Sequence, residues 1–129
     1  MPKWTALVTL ASIALYFLIM FRVGQFRGKT GIKAPATTGD PLFERIYRIQ
    51  MNTLEWMPLF LVPLWLAALT VHDGFAAVCG LVWIVGRSVY MQAYLADPAK
   101  RGTGFAIQAS AAIPLFCVAV FGVVRTLFV

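Results

Sequence analysis

Two long stretches without a charged residue limit what this chain can fold into. They run from Trp4 to Phe21 and from Gly102 to Val124, and each approaches the ~20 residues that a helix needs to cross ~30 Å of hydrocarbon. Only 12% of all residues are charged and 60% are hydrophobic, whereas soluble domains carry about 25% charged residues. The sequence therefore predicts an all-α integral membrane protein. The first stretch is longer than the apolar core of about 7 to 15 residues in a signal peptide, so it is predicted to be a transmembrane helix and not a signal peptide.

The spacing of polar segments predicts how many times the chain crosses the membrane. Residues 28–41 are rich in Gly, Pro and Thr, and Asp97-Pro98 follows the third apolar stretch, which is typical of loops and helix ends. We therefore predict a single four-helix membrane domain over residues 1–129. Its transmembrane helices are expected at about residues 4–27, 42–71, 74–96 and 104–126.

The basic residues predict how these helices are oriented. Four spans place loops 28–41 and 97–103 on one side and both termini on the other. Of the eleven Lys and Arg residues, all except Lys3 and Arg125 lie on or near the loop side. The positive-inside rule then makes both loops cytoplasmic. Because the net charge of +6 follows topology and forms no single patch, nucleic acid is not an expected partner.

The beginning of the second helix carries a polar stripe. At 100° per residue its polar side chains share an arc of about 100°; they are Glu44, Arg45, Arg48, Asn52 and Glu55. The stripe suits a small zwitterionic ligand, since Arg binds carboxylates and Glu55 accepts from an ammonium. Alternatively, Glu44 pairs with Arg48 and only stabilises the helix end. Glu55 favours a site, because intramembrane carboxylates usually serve sites or cavities.

The third helix carries a second polar line at the same membrane level. Arg87, Tyr90 and Tyr94 are spaced to share one face. Tyrosines alone would suggest interfacial anchors, but their alignment with Arg87 favours a site. Arg101 follows the break at Pro98 and either reaches this region or is simply a positive-inside charge.

Other polar and thiol-bearing residues give no sign of a metal site. His72 and Asp73 lie at the opposite membrane face and are expected in a turn, without a nucleophile nearby. Cys79 and Cys117 belong to separate apolar segments and are expected to behave as small hydrophobes. No metal is therefore predicted.

Two segments resemble the MAPEG family, the membrane-associated proteins in eicosanoid and glutathione metabolism. The first spans residues 41–55 and continues into 58–61, and the second spans residues 79–82 and continues through Arg87, Tyr90, Gln92 and Tyr94. The resemblance implies a homotrimer of four-helix subunits. It also implies glutathione bound between neighbouring subunits near the cytosolic side, and a lipophilic electrophile that enters from the membrane lipids.

The resemblance also assigns roles to individual residues. It implies that glutathione contacts five residues of one subunit, namely Arg48, Asn52, Glu55, Tyr90 and Tyr94. Arg27 and Gln50 would come from its neighbour, and Gln50 projects about 160° away from Arg48 on the helix. Arg101 matches the family arginine beside the glutathione sulfur, where a fixed cation lowers the thiol pKa. Arg87, Trp56 and Leu59 are expected in the pocket.

Two departures from the family pattern bear on the substrate. Trp56 stands where relatives often have a tyrosine, and Gly28 stands where some have a second arginine. At Trp56 a hydroxyl contact to glutathione is lost and the shape of the pocket differs. Gly28 favours a more general transferase or a lipid hydroperoxide peroxidase over leukotriene-C synthesis. A detoxification role and synthesis of one eicosanoid-like lipid mediator both stay open. The alternatives are a non-catalytic lipid-binding scaffold, a role also found in the family, and a small channel or transporter. The clustering of polar residues at one membrane face argues against a channel.

Overall fold

The computed structural model describes residues 1–129 as four long helices, with no strand. Their bounds are Lys3–Thr30 for α1, Pro41–Thr70 for α2, Asp73–Ala96 for α3 and Gly102–Thr126 for α4. Each helix is long and apolar enough to cross a membrane. The predicted all-α membrane fold is therefore confirmed.

The helix ends at the loop side are set by local backbone chemistry. α1 continues past residue 27, because Gly31 ends it in the left-handed conformation (φ 75°). α2 begins after Asp40, whose carboxylate accepts hydrogen bonds from the backbone N–H groups of Leu42 and Phe43. The expected loop 97–103 is shorter than predicted. Pro98–Arg101 form a short 3-10 helix, started by a hydrogen bond from the Ala99 N–H to Asp97, and α4 follows directly.

The connection at the opposite end joins three helices. His72 Nδ1 accepts a hydrogen bond from the Phe75 N–H at 3.1 Å and so caps α3. The Asp73 carboxylate accepts from the N–H groups of Trp4 at 3.1 Å and Thr5 at 2.9 Å, which are unpaired donors at the start of α1. Both residues thus act as helix caps, and the pair holds the beginnings of α1 and α3 together.

The buried face of α2 determines where its polar stripe points. Ile46, Ile49 and Thr53 are almost completely buried, and the two isoleucines pack in a cluster with Tyr90 of α3. A second cluster lies farther from the loops, where Phe60 stacks on Trp83 with ring centroids 4.1 Å apart. Because these apolar side chains occupy the interior, the stripe lies along the edge of the bundle. Arg48 and Glu55 are exposed there, whereas Arg45 and Asn52 form hydrogen bonds with α3.

α3 and α4 touch through their backbones near the loop side. A methyl group placed on Gly104 would collide with the backbone of Tyr90, and one placed on Gly86 would collide with the backbone of Gln108. Small residues allow membrane helices this close approach. The contact brings the tyrosine-bearing end of α3 beside the residues that follow Arg101.

Candidate active site

A cavity of about 390 Å³ opens at the loop end of the bundle. Its walls come from α2, α3, the 3-10 helix and α4, and consist of Arg48, Asn52, Tyr90, Tyr94, Arg101, Gly102 and Phe105. Five of the predicted site residues are therefore brought together within one subunit. They converge because the cavity lies where the ends of α2 and α3 meet the start of α4.

Arg48 forms the only ion pair of the chain, with Glu55. Its Nη1 lies 3.7 Å from Glu55 Oε1, and both side chains are more than half exposed. The alternative pair of Arg48 with Glu44 is not formed, since Arg48 reaches along the helix toward the cavity. An exposed pair of this kind stabilises a protein by only about 0 to 1 kcal/mol. Both groups can therefore exchange partners at little cost when a charged ligand enters.

The two tyrosines form the wall contributed by α3. Their ring centroids lie 5.6 Å apart, and Tyr90 is only 4% exposed whereas Tyr94 is half-buried. Tyr90 packs against the apolar cluster at the loop end. Both rings line the cavity, as expected for site residues.

Arg87 was expected in the pocket, but it lies behind the cavity wall and is fully buried. Its Nη1 and Nη2 donate to Asn52 Oδ1 at 2.9 and 2.8 Å. Nη1 also donates to Thr53 Oγ1 at 3.1 Å, and Nε donates to Gln108 Oε1. The guanidinium is held in the interior because it has an acceptor on each of the helices packed around it.

Arg27 and Gln50 do not line the cavity of their own subunit. Arg27 Nη1 donates to the carbonyl of Ala36 at 2.8 Å, and its guanidinium lies 4.6 Å from the centre of the Phe43 ring. Gln50 Nε2 donates to the Tyr16 hydroxyl at 3.5 Å. That Arg27 and Gln50 contact glutathione in the site of a neighbouring subunit stays a prediction.

An apolar groove of about 370 Å³ adjoins the polar cavity. All of its lining residues are hydrophobic, namely Trp56, Leu59, Phe105, Ala109, Ala112, Ile113 and Phe116. Phe105 lines both the cavity and the groove. Its ring meets Trp56 edge to face, with centroids 5.9 Å apart. The Phe105 ring thus separates a polar, cationic space from an apolar one.

The charge of the cavity favours an anionic ligand. Arg48 and Arg101 line it and Arg87 lies directly behind it, whereas the one nearby carboxylate, Glu55, pairs with Arg48. Guanidinium groups bind carboxylates in bidentate geometry and hold nearby anions. The chain contains no group of three or more His, Cys, Asp or Glu residues that could hold a metal ion.

Comparison with known proteins identifies the family. A family model described as MAPEG matches residues 5–121. The chain belongs to the MAPEG family. Leukotriene C4 synthase of Bos taurus is 43% identical over 96 residues, which cover 74% of this chain and 64% of that protein. Microsomal glutathione S-transferase 2 of Mus musculus is 41% identical over 118 residues, which cover 92% of this chain and 80% of that protein. An uncharacterized protein of Synechocystis sp. is 43% identical over 104 residues, which cover 81% of this chain and 76% of that protein.

This MAPEG chain has three site residues that the sequence did not single out. Thr53 and Gln108 hold Arg87, and Phe105 divides the cavity from the groove. Gln108 is the only amide side chain between Gly102 and Val124, so its polarity within that stretch was a usable signal. Phe105 lies one helical turn after Arg101, a spacing that also pointed to the same surface.

Proposed function

We propose that this MAPEG protein is a membrane-bound glutathione transferase. It holds glutathione in the polar cavity and joins its sulfur to a lipophilic electrophile in the apolar groove. The observation that carries the proposal is the wall that the cavity and the groove share at Phe105. This arrangement would bring a water-soluble thiol in the cavity next to a membrane-soluble acceptor in the groove. The relatives named leukotriene C4 synthase and microsomal glutathione S-transferase 2 support it.

The peptide part of glutathione has groups that match the cavity. Arg48 binds a carboxylate, and Glu55, released from its weak pair with Arg48, accepts from the ammonium group. Asn52, Tyr90 and Tyr94 offer hydrogen bonds from the cavity walls. In the proposed homotrimer, Arg27 and Gln50 of the neighbouring subunit complete the site. Their position outside the cavity of their own subunit is consistent with that role.

Arg101 activates the thiol. The nucleophile is the thiolate, and a free thiol has a pKa of about 8.5. A guanidinium beside the sulfur stabilises the anion, and each unit by which it lowers the thiol pKa corresponds to ~1.4 kcal/mol. The thiolate then attacks the electrophilic carbon, a carbon–sulfur bond forms, and the leaving group departs with its electron pair.

The same thiolate is suited to reduce a lipophilic hydroperoxide held in the groove. The sulfur attacks the terminal peroxide oxygen, and the O–O bond breaks to give an alcohol and a glutathione sulfenic acid. A second glutathione then displaces water and forms the disulfide. Two thiols are oxidised for each peroxide reduced.

We infer that the cavity faces the cytoplasm. It opens at the end of the bundle that holds the α1–α2 and α3–α4 connections, where most basic residues lie. Reduced glutathione is a cytosolic thiol, so this orientation gives the site direct access to its co-substrate. The opposite termini would then face the other side of the membrane.

Purified protein in detergent should conjugate glutathione to 1-chloro-2,4-dinitrobenzene. Product absorbance measures the rate, and calorimetry measures glutathione binding. Cumene hydroperoxide in the same assay, coupled to glutathione reductase, measures peroxide reduction. Absence of glutathione binding at millimolar concentration would instead favour a non-catalytic lipid-binding scaffold.

The apolar groove should control affinity for the acceptor alone. Trp56→Ala removes the partner of Phe105 and is expected to raise KM for a lipophilic acceptor about tenfold, equivalent to ~1.4 kcal/mol, with glutathione binding nearly unchanged. Leu69→Ala is the matched control, because Leu69 is an exposed apolar residue of α2 that lines neither the cavity nor the groove. An equal change in both variants would argue against the groove as the acceptor site.

A further inference from the structure

Arg87 is a fully buried cation without a carboxylate partner. Each of its acceptors is neutral, since they are the side chains of Asn52, Thr53 and Gln108. The only ion pair in the chain joins Arg48 and Glu55. Burying a charge without an opposite charge is costly, so the positive charge of Arg87 is only partly compensated within the subunit.

The hydrogen bonds of Arg87 fix the orientation of the Asn52 amide. Both terminal nitrogens of the guanidinium donate to Asn52 Oδ1, at 2.9 and 2.8 Å. A flipped amide would place its NH₂ group against the N–H groups of Arg87. Both groups are hydrogen-bond donors, so no hydrogen bond could form between them. The Asn52 Nδ2 has no acceptor within the chain, and Asn52 lines the cavity. Asn52 can therefore offer only donors to a ligand.

Arg87 also supports the other walls of the cavity. Its guanidinium carbon lies 4.3 Å from the centre of the Tyr90 ring, which is within cation–π distance. Its bond to Gln108 connects the group to α4, near the contact between Gly86 and the Gln108 backbone. One buried side chain thus links α2, α3 and α4, which carry all the cavity residues except Arg101.

We propose that Arg87 is a positioning residue that makes Asn52 an obligate hydrogen-bond donor to bound glutathione. The acceptor on the ligand is a carbonyl or carboxylate oxygen of the peptide, and the ligand's negative charge compensates the charge of Arg87. The inference rests on the proposed function of the cavity. It predicts that the amide oxygen of Asn52 accepts hydrogen bonds from Arg87 and that its amide nitrogen donates hydrogen bonds to the ligand.

Asn52→Asp tests this assignment with almost no change in shape. The new carboxylate would pair with Arg87, and the two donors toward the ligand would be lost. We expect the Kd for glutathione, measured by calorimetry, to rise at least about tenfold, the lower end of the effect of losing a hydrogen bond to a charged group. The thermal unfolding midpoint should be unchanged or higher. Gln92→Glu is the control, because it makes the same chemical change at an exposed position of α3.

Arg87→Lys tests the positioning role without a change of net charge. A lysine has a single ammonium nitrogen and cannot donate to Asn52 Oδ1 from two nitrogens at once. We expect KM for glutathione to rise about tenfold, whereas kcat at saturation should change by less than about threefold. A purely structural role would reduce the folded fraction, and with it kcat per total protein, at constant KM.

The outcomes separate this inference from the proposed function. A wild-type protein that does not bind glutathione would overturn both. If the wild type binds glutathione and Asn52→Asp binds it within about twofold of the wild-type affinity, the inference alone is overturned. The same holds if Arg87→Lys lowers kcat and leaves KM unchanged.

Discussion

Replacing Arg101 by alanine should lower the conjugation rate by on the order of 10² to 10³, the typical cost of removing one group that stabilises a reacting anion. Glutathione should still bind, because Arg48, Asn52 and the two tyrosines remain in the cavity. The loss should be greatest near neutral pH, since without the guanidinium the thiol pKa returns toward about 8.5. The rate of the variant should therefore recover as the pH rises through that value. Steady-state rates across a pH series, with calorimetry for binding, measure both effects.

Lys100→Ala is the matched control for this variant. Lys100 lies beside Arg101 in the same 3-10 helix and is exposed, but it does not line the cavity. The control should keep nearly the wild-type rate, because it removes an equal charge at a position without access to the sulfur. Equal rates in the wild type and Arg101→Ala would exclude Arg101 from the mechanism.

Replacing Gly104 by alanine should disturb the whole site through the backbone. The added methyl group would collide with the backbone of Tyr90, so α3 and α4 must move apart. Overpacking of this kind typically costs about 1 to 3 kcal/mol in the free energy of unfolding. Separation of Tyr90 from Arg101 should also weaken glutathione binding and reduce turnover together. Thermal unfolding in detergent, followed by tryptophan fluorescence, reports the first effect, and calorimetry with rate assays reports the second.

Gly24→Ala provides the comparison within the same protein. Gly24 lies inside α1 and has open space around it, so alanine should be tolerated. Alanine is favoured over glycine within a helix by about 0.5 to 1 kcal/mol, and the unfolding midpoint should stay the same or rise slightly. If Gly104→Ala unfolds at the wild-type temperature, the close contact between α3 and α4 does not limit stability.

The fold could be predicted because a membrane leaves few choices to the backbone. Uncharged stretches such as Trp4 to Phe21 must satisfy their own backbone hydrogen bonds, and the helix does so within one segment. Periodicity then placed Arg48 and Asn52 on one face of α2, and both line the cavity. Their proximity to Tyr90, Tyr94 and Arg101 could be predicted because all five residues lie at the same membrane depth, near the loop side.

The rotation of each helix about its axis could not be predicted in the same way. Periodicity gives the angle between two residues of one helix but not which of them faces a neighbouring helix. Arg87 was therefore expected in the pocket, although Asn52, Thr53 and Gln108 hold it in the interior. Likewise, the i, i+4 rule suggested a pair between Glu44 and Arg48, whereas Arg48 lies closest to Glu55.

The position of Phe105 determines what kind of molecule leaves the proposed site. In the proposed reaction, a conjugate formed across this ring would have its charged peptide in the polar cavity at the loop end of the bundle and its apolar part in the groove along the hydrophobic helices. It would therefore be produced in the same orientation as the lipids of that leaflet, with its headgroup outward. Each turnover would convert a molecule dissolved in the membrane interior into a surfactant, and the length of its apolar part would decide whether it escapes into water or stays in the leaflet.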